Sequence, residues 1–272
     1  MTDNPLLTRK QLGKMLRELR LSSGKTVEDI EYFGKLWKKS KLYAIENGHQ
    51  PNPSWPEVEA VAKFLGASNE LTRELVRMAK ACLNSGWYVP FDISQKFQTY
   101  LDLESAANRL HFVEIEMVNG LFQTENYTRA LQRALGVPEE KIQNYVDFRM
   151  QRAQRFWNRD PFPEVTLLMS EGTLRRVVGG AEVMAEQVDH LRELARRDLV
   201  DIVVIPFAAG LNAAMQNAFT LLEFNDDVYP EVAYVESRSE CQYHERKPVV
   251  ALYKWILQEA LSVALPIGEI EL

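Results

Sequence analysis

Trp37-Lys38-Lys39-Ser40-Lys41-Leu42-Tyr43-Ala44-Ile45-Glu46-Asn47-Gly48 reads as one short helix, apolar on one side and cationic at its start. Leu42 and Ile45, three apart, face inward together. Asn47-Gly48 ends the helix, and His49-Gln50-Pro51-Asn52-Pro53 forces a loop, because proline lacks the backbone donor and restricts the residue before it. Outward from this stretch the same period recurs. Leu12, Met15, Leu16 and Leu19 mark a first helix over Arg9–Leu21, with Arg9, Lys10, Lys14, Arg17 and Arg20 around them, stopped by Ser22-Ser23-Gly24. Thr26 is placed to cap a second helix that runs through Ile30 to about Phe33. After the loop, Ser54 caps a fourth helix with Pro56 in its first turn and Val58, Val61, Ala62 and Leu65 on its buried face. Ser68 caps a fifth through Leu71, Leu75 and Met78. With no strand pattern among them, these segments predict a compact five-helix domain over residues 1–80.

The chain has 272 residues, 46% hydrophobic and 26% charged, which suits two globular domains and neither a disordered nor a fibrous class. The net charge of −6 hides a split: residues 1–80 carry 14 Lys and Arg against 10 Asp and Glu, whereas residues 81–272 carry 18 against 28. The first segment is modestly basic although the whole is acidic, so the overall sign does not exclude a nucleic-acid partner. Cys82 and Cys241 lie far apart, and no charged, apolar, then small-residue leader opens the chain, so a cytoplasmic, nucleoid-associated location in a reducing compartment is expected. The most apolar run, Leu199–Ala209, falls short of the roughly 18 residues that cross a bilayer, and no membrane partner is expected.

After Ala81 the texture changes. Asn84-Ser85-Gly86 and Pro90 predict a linker over residues 81–96, with Trp87, Tyr88, Phe91, Phe97 and Tyr100 clustered about it. A second domain is expected over residues 97–272. Its predicted helices are 97–109, Thr124–Leu135, Glu139–Phe156, a single turn at Gly172–Arg176, Ala181–Arg197 and Val249–Ala264. Its predicted strands are Phe112–Val118, Val165–Met169, Asp201–Ile205, Phe219–Phe224 and Glu231–Glu236. The fold class is thus a helical N-terminal domain followed by a mixed α/β or α+β sheet domain.

In a helix-turn-helix the second helix of the pair lies in the major groove, its first residues reaching base edges and phosphates. Here those residues are Lys38, Lys39, Ser40, Lys41 and Tyr43. Lysines neutralise phosphates and release counterions, lysine also contacts guanine edges, and serine bonds several bases. Trp37 supports the turn or packs on sugar-phosphate, and His49 and Gln50 are placed to touch the backbone from the loop. The plainer alternative is that the lysines are the solvated face of an ordinary small helix. Leu12, Leu16, Leu19-Arg20, the Gly24 break, Ile30 and above all Ile45-Glu46-Asn47-Gly48 before a proline-containing loop resemble the Cro/C1-type (XRE) helix-turn-helix family. The resemblance implies binding to double-stranded DNA. The chain departs from that family by one extra residue between Ile30 and Trp37, and by Ala44 where the family commonly has arginine. Glu46 reads as structural, bonding backbone or Arg20. One short helix reads only a few base pairs, so a homodimer on two half-sites about 10 bp apart is expected.

The second domain carries its own resemblance. Gly120-Leu121-Phe122-Gln123-Thr124-Glu125-Asn126-Tyr127-Thr128-Arg129-Ala130-Leu131 is followed by Ser170-Glu171-Gly172-Thr173-Leu174-Arg175-Arg176, Val178-Gly179-Gly180, Met184-Ala185-Glu186-Gln187-Val188-Asp189-His190-Leu191 and Val204-Ile205-Pro206-Phe207. Together these resemble the C-terminal, antitoxin-like domain of WhiJ-like actinobacterial regulators, with Asn119 standing where that family has proline. The resemblance implies regulation of development or antibiotic production, or a toxin–antitoxin-like pair, with a small acidic partner protein encoded nearby. From the residues themselves, Gly120 permits a tight strand-to-helix turn, Thr124 caps the helix after it, and Gly179-Gly180 acts likewise before Ala181. Most of these residues suit a fold-defining core. Gln123, Glu171, Arg175 and Arg176 are the candidates for lining a ligand or partner site.

No enzyme is expected. There is no nucleophile elbow, phosphate-cradling glycine loop or HExxH. Cys241 and His244 are three apart, within reach of one another on a helix, but two ligands do not make a metal site. Glu171 reads as an ion-pair partner of Arg175 and Arg176. No cofactor or metal follows from the sequence, and the alternative to a regulator is an antitoxin that neutralises a small partner and autoregulates its operon.

Overall fold

The helical spacing of Leu12 and Leu16 produces α1 (Pro5–Ser22), followed by α2 (Val27–Tyr32), α3 (Lys39–Glu46), α4 (Trp55–Phe64) and α5 (Asn69–Ala81), in a computed structural model. The structure describes residues 5–33, 37–48, 50, 52–82, 87–91, 93–197, 199–225, 230–237 and 240–272. Thr26 closes a capping box on α2: its Oγ1 accepts from Asp29 N at 3.2 Å, and Asp29 Oδ2 accepts from Thr26 N at 2.7 Å. Ser68 caps α5 by accepting from Leu71 N at 3.1 Å. Ser54 occupies the N-cap of α4 without a side-chain bond, leaving Pro56 in the first turn as the local start signal. The third helix begins two residues later than predicted. Trp37 lies before the helix and enters the core, 1% exposed, beside Leu12, Leu16, Ile30, Leu42, Ile45, Val58, Val61 and Leu75. The extra residue between Ile30 and Trp37 falls in a segment, 34–36, outside the described residues.

The chain divides into two compact units, one ending at Ala106 and one running from Ala107 to Asn225 and from Pro230 to Leu272. The helix predicted at 97–109 is α6 (Gln95–Ala106), which the sequence reading assigned to the second domain. By its contacts α6 groups with the first unit and packs on α1, with Tyr100, Leu101 and Leu103 buried. Within the expected linker, residues 87–91 form a turn in which Tyr88 is buried and its hydroxyl donates to Asp102 on α6 at 2.9 Å. Residues 87–91 are thus a packed aromatic turn.

In the second unit β1 (Arg109–Glu114), β2 (Glu164–Ser170) and β3 (Asp201–Ile205) lie parallel and adjacent. The crossover from β1 to β2 carries α7 (Glu125–Ala134) and α8 (Glu139–Trp157), and that from β2 to β3 carries α9 (Glu171–Arg175) and α10 (Ala181–Arg196). β4 (Phe219–Glu223), β5 (Val232–Glu236) and β6 (Cys241–His244) add antiparallel strands beyond β1, and β7 (Leu265–Pro266) pairs antiparallel with β3. Among the described residues the order is β6-β5-β4-β1-β2-β3-β7, a mixed sheet. Alternation along β1 sends Phe112 toward Phe122 and Phe156, on the α7/α8 side, and Val113 toward the opposite face. That opposite face is covered by α11 (Lys247–Leu261), through Val250, Leu257 and Ala260.

Two expectations are corrected here. The first strand was predicted at Phe112–Val118 but ends at Glu114, because the Ile115 carbonyl leaves the ladder and accepts from Ser170 Oγ and Thr173 Oγ1 at 2.5 and 2.9 Å. Gly120 does lie in a tight turn, closed by Phe122 N donating to Asn119 O at 2.9 Å, and a Cβ there would stand 2.0 Å from the tip of the Arg149 side chain. Gly179 and Gly180 do have the left-handed backbone, with φ of 73° and 96°. Finally, Cys241 and His244 lie on a strand, where residues three apart point to opposite faces, and the Cys241 sulfur instead accepts from the Tyr234 hydroxyl at 3.3 Å.

Candidate nucleic-acid interface

α3 presents two faces. Leu42, Ile45 and Glu46 are buried, while Lys39, Ser40 and Tyr43 are exposed at i, i+1 and i+4 and form one outward stripe, with Tyr43 54% exposed. Lys38 is exposed at the N-cap and makes no side-chain cap bond, leaving the first-turn N–H groups to point out of the helix start beside two lysines. The positive end of the helix dipole and these cations favour an anion at the same place.

The scaffold fixes this helix at its other end. Arg20 on α1 makes a two-pronged bond to Glu46, Nε to Oε1 at 2.6 Å and Nη2 to Oε2 at 2.9 Å, as the sequence reading anticipated. The hydrogen bonds to Glu46 raise the Arg20 guanidinium above its ordinary range, against the opposing effect of burial. α1 crosses the C-terminal end of α3 so closely that a Cβ on Gly13 would stand 2.3 Å from the Ile45 carbonyl oxygen. Gly48, at φ of 70°, turns the chain against Lys10 of α1.

The lysines of the stretch are not equivalent. Among the described residues Lys38 has no ion-pair partner. Lys39 Nζ donates to Glu28 of α2 at 2.6 Å, both side chains being well exposed; this bond raises Lys39 and holds the Glu28 carboxyl below its usual range. Lys41 is half-buried and donates to Glu57 Oε2 at 2.6 Å, and the same oxygen accepts from Trp37 Nε1 at 2.9 Å. Burial pushes Glu57 up, but the bonds from Lys41 and Trp37 prevail and hold it below the ordinary carboxylate range. Lys41 and Trp37 therefore brace α3 against α4, whereas Lys38, Ser40 and Tyr43 are exposed, and Lys39 is exposed but paired with Glu28. His49 lies outside the described residues. Glu28 and Glu57 escaped the sequence reading because they lie 11 and 16 residues from their lysines, with no periodicity to link them.

Glu28 competes with phosphate for Lys39. Exchange of one exposed partner for another costs little, so Glu28→Gln is expected to tighten duplex binding by roughly two- to fivefold at low salt, with the gain fading as salt rises. Titration of a labelled duplex at two ionic strengths checks this, and unchanged affinity at both would show that Lys39 does not meet the phosphates.

In the second unit Glu171 and Arg175 bond each other, while Gln123 and Arg176 take other partners. Gln123 is buried, with Nε2 donating to Val118 O at 2.7 Å and Oε1 accepting from Thr128 Oγ1 at 2.9 Å, so its amide pins its own loop. Glu171 accepts from Phe207 N at 2.6 Å and from Arg175, and the Phe207 N–H is the larger cause of its lowered carboxyl. Arg175 also donates to the Glu271 carbonyl at 2.7 Å. Arg176 pairs with Glu116, both exposed. Asn119, where the resembled family has proline, holds the same turn by accepting from Leu121 N at 3.0 Å while donating to Glu114 at 2.7 Å. The sequence reading missed the charged group at the end of β1. Burial pushes Glu114 up to about 7 despite the Asn119 bond, and burial brings Arg149 of α8 down to about 10.

The first unit is a helix-turn-helix DNA-binding domain, and residues 11–75 match the family of that description. Residues 97–270 match a domain of unknown function (DUF5753), and the chain belongs to that family. No curated protein matches the chain. Among the described residues no helix is long and apolar enough to cross a membrane.

Proposed function

We propose that this DNA-binding regulator recognises a specific operator as a homodimer, with α3 in the major groove, and that its second unit is a non-catalytic module that senses a ligand or a partner protein. The observation that carries the reading is the α3 surface: Lys39, Ser40 and Tyr43 exposed on one stripe behind a cationic, uncapped start, over a helix pinned by Arg20 and Glu46. Lys38 and Lys39 supply charge at the phosphates. Ser40 and Tyr43 supply hydrogen bonding and contact area at base edges.

Alanine at Lys38 and Lys39 is expected to weaken operator binding and flatten its dependence on log salt by about 0.9 per lost phosphate contact. Lys41→Ala is expected to differ, lowering the stability of the helical unit through Glu57 and Trp37 before it alters binding. Ser40→Ala is expected to change which base is preferred at one position while leaving the salt slope alone. Operator titrations at three salt concentrations separate these outcomes, and a Lys38→Ala, Lys39→Ala variant with the parent's affinity and slope would sink the groove assignment.

The WhiJ-like resemblance supports the finer reading that a small protein encoded nearby binds the second unit. Toxin neutralisation is the competing form of that reading. Co-expression distinguishes them: growth rescue by this chain supports an antitoxin, and stoichiometric binding that changes operator affinity without any rescue supports a regulator with a protein co-effector.

A further inference from the structure

Two cationic side chains meet over a residue that has none. Arg149 and Arg152 lie three apart on α8 and so share one of its faces. A Cβ on Gly120 would overlap Arg149 Nη1 and stand 3.3 Å from Arg152 Nη1, so both guanidinium tips converge on the loop that leaves β1. Arg152 is 5% exposed and Arg149 is partly exposed, which keeps the pair within reach of solvent. Burial lowers Arg149, and the like charge of Arg152 lowers it further. Among the described residues Arg149 makes no hydrogen bond and no ion pair. Glu114 and Glu236 attract it only from beyond ion-pair distance, Glu114 being held by Asn119 Nδ2 and pushed up to about 7 by burial. Arg20, by contrast, is answered by both oxygens of Glu46. An arginine drawn out of water beside a second one and left unanswered is costly until an anion completes it.

The place suits a ligand. Phe112 points toward α7 and α8, and Glu114, two residues on along β1, emerges on the same side at the carboxyl end of the strand. From there the chain leaves over the α7/α8 face. The neighbouring β4 is entered from the other face, through the 310 turn Ala213–Gln216, whose Ala214 packs with Val250 and Leu257 of α11. Adjacent strands whose connections part to opposite faces open a crevice at that end of a sheet, and open α/β folds bind their ligands there. With no side chain at 120, the backbone and the guanidinium groups stand close to whatever enters.

We propose that Arg149 and Arg152, against the bare backbone of Gly120, bind the oxoanion of a small acidic molecule, whose carboxylate or phosphate oxygens accept from both guanidinium groups. Paired guanidinium forks match such groups in shape as well as in charge, which a lone lysine does not. The site gives the sensing reading of the second unit its class of ligand; it rests on that reading for its use and on the two arginines for its existence.

Equilibrium dialysis of the full chain against labelled sulfate and labelled acetate, at fixed ionic strength, tests it. The Lys38→Ala, Lys39→Ala background is used, so that the cationic start of α3 takes no anion. Saturable binding of one anion per chain is expected; sulfate as the tighter probe marks a phosphate site, and acetate as the tighter probe a carboxylate site. Arg149→Met is expected to weaken binding at least tenfold, and Gly120→Ala, which pushes the Arg149 tip aside, roughly fivefold. Glu114→Gln is expected to tighten it by up to about tenfold at pH 8, where the Glu114 carboxylate beside Arg149 and Arg152 is mostly ionised and repels the anion. Thermal unfolding separates a binding group from a strut: removal of an unanswered charge by Arg149→Met is expected to leave the protein at least as stable as the parent without added sulfate or acetate, whereas loss of a structural ion pair lowers stability. No saturable binding of either anion, binding untouched by Arg149→Met and Gly120→Ala, or an Arg149→Met protein that unfolds at a markedly lower temperature overturns the proposal. If the site saturates but operator affinity responds to the anion alike in the Lys38, Lys39-intact chain and in its Arg149→Met variant, the site stands and ligand sensing is removed. If no anion binds while a partner protein changes operator affinity, sensing stands and the site is removed.

Discussion

Glu46→Ala is expected to lower the stability of the helical unit by about 3–5 kcal/mol, the cost of leaving one member of a buried ion pair alone. The Arg20 and Glu46 side chains are only 10% and 3% exposed, so an orphaned guanidinium could not regain most of its hydration without moving α1. A domain of this size has about 5–15 kcal/mol in total, so much of its population would be unfolded near the upper end of that loss. Glu46→Gln keeps an acceptor and is expected to cost less. The discriminating variant is Arg20→Met with Glu46→Leu, which removes both charges and is expected to recover most of the stability while leaving α3 less firmly held. Urea denaturation of the full chain, with a separate transition for the helical unit, measures all three. Equal midpoints for the parent and Glu46→Ala would mean that the pair is not buried in solution.

Much of the fold was legible because its signals are local. Thr26, Ser68 and Thr124 each cap the helix predicted after them, accepting from the third residue on, and caps need only three or four consecutive residues to be recognised. The largely buried runs at Val165–Met169 and Ile202–Ile205 belong to the parallel β1-β2-β3 part of the mixed sheet, where continuous apolar sequence is the rule. β6 and β7 were missed because four and two residues at sheet edges carry too little alternation to register. The end of β1 was misplaced because Val118 is buried like a strand residue but sits in a loop.

The candidate site was legible in outline and not in its charges. Residue types placed Lys39 through Tyr43 on one helix, with Lys38 found at its cap, and the Arg20–Glu46 pair was anticipated. Which lysine is free depends on carboxylates brought in from α2 and α4 by tertiary packing, and no spacing rule encodes that. In the second unit, polar residues of the stretch that carries the family resemblance satisfy one another: Gln123 bonds Val118 and Thr128, and Gln187 bonds the backbone of Phe122 and Thr124. A motif can therefore be a hydrogen-bonding device for a loop as easily as a ligand shell.

Gly13→Ala is expected to destabilise the helical unit, although helix propensity alone argues for a gain of about 1 kcal/mol. Gly13 is inside α1, where alanine is the better helix former, and the opposing term is steric. The added Cβ would stand 2.3 Å from the Ile45 oxygen, 2.7 Å from the Glu46 oxygen and 2.9 Å from the Glu46 carbonyl carbon. All three are backbone atoms at the end of α3, so no side-chain rotation relieves them, and α1 must move off α3. Overpacking of this kind costs about 1–3 kcal/mol beyond the propensity gain, and more where backbone is the obstacle. The shift would also draw Arg20, seven residues along the same helix, away from Glu46, so operator affinity is expected to fall together with stability. Gly120→Ala supplies the contrast, since there the nearest atom is the tip of the Arg149 side chain, which can turn aside. Thermal unfolding and operator titration of both variants test the pair: a Gly13→Ala protein as stable as the parent would show that α1 does not cross the end of α3 at this distance.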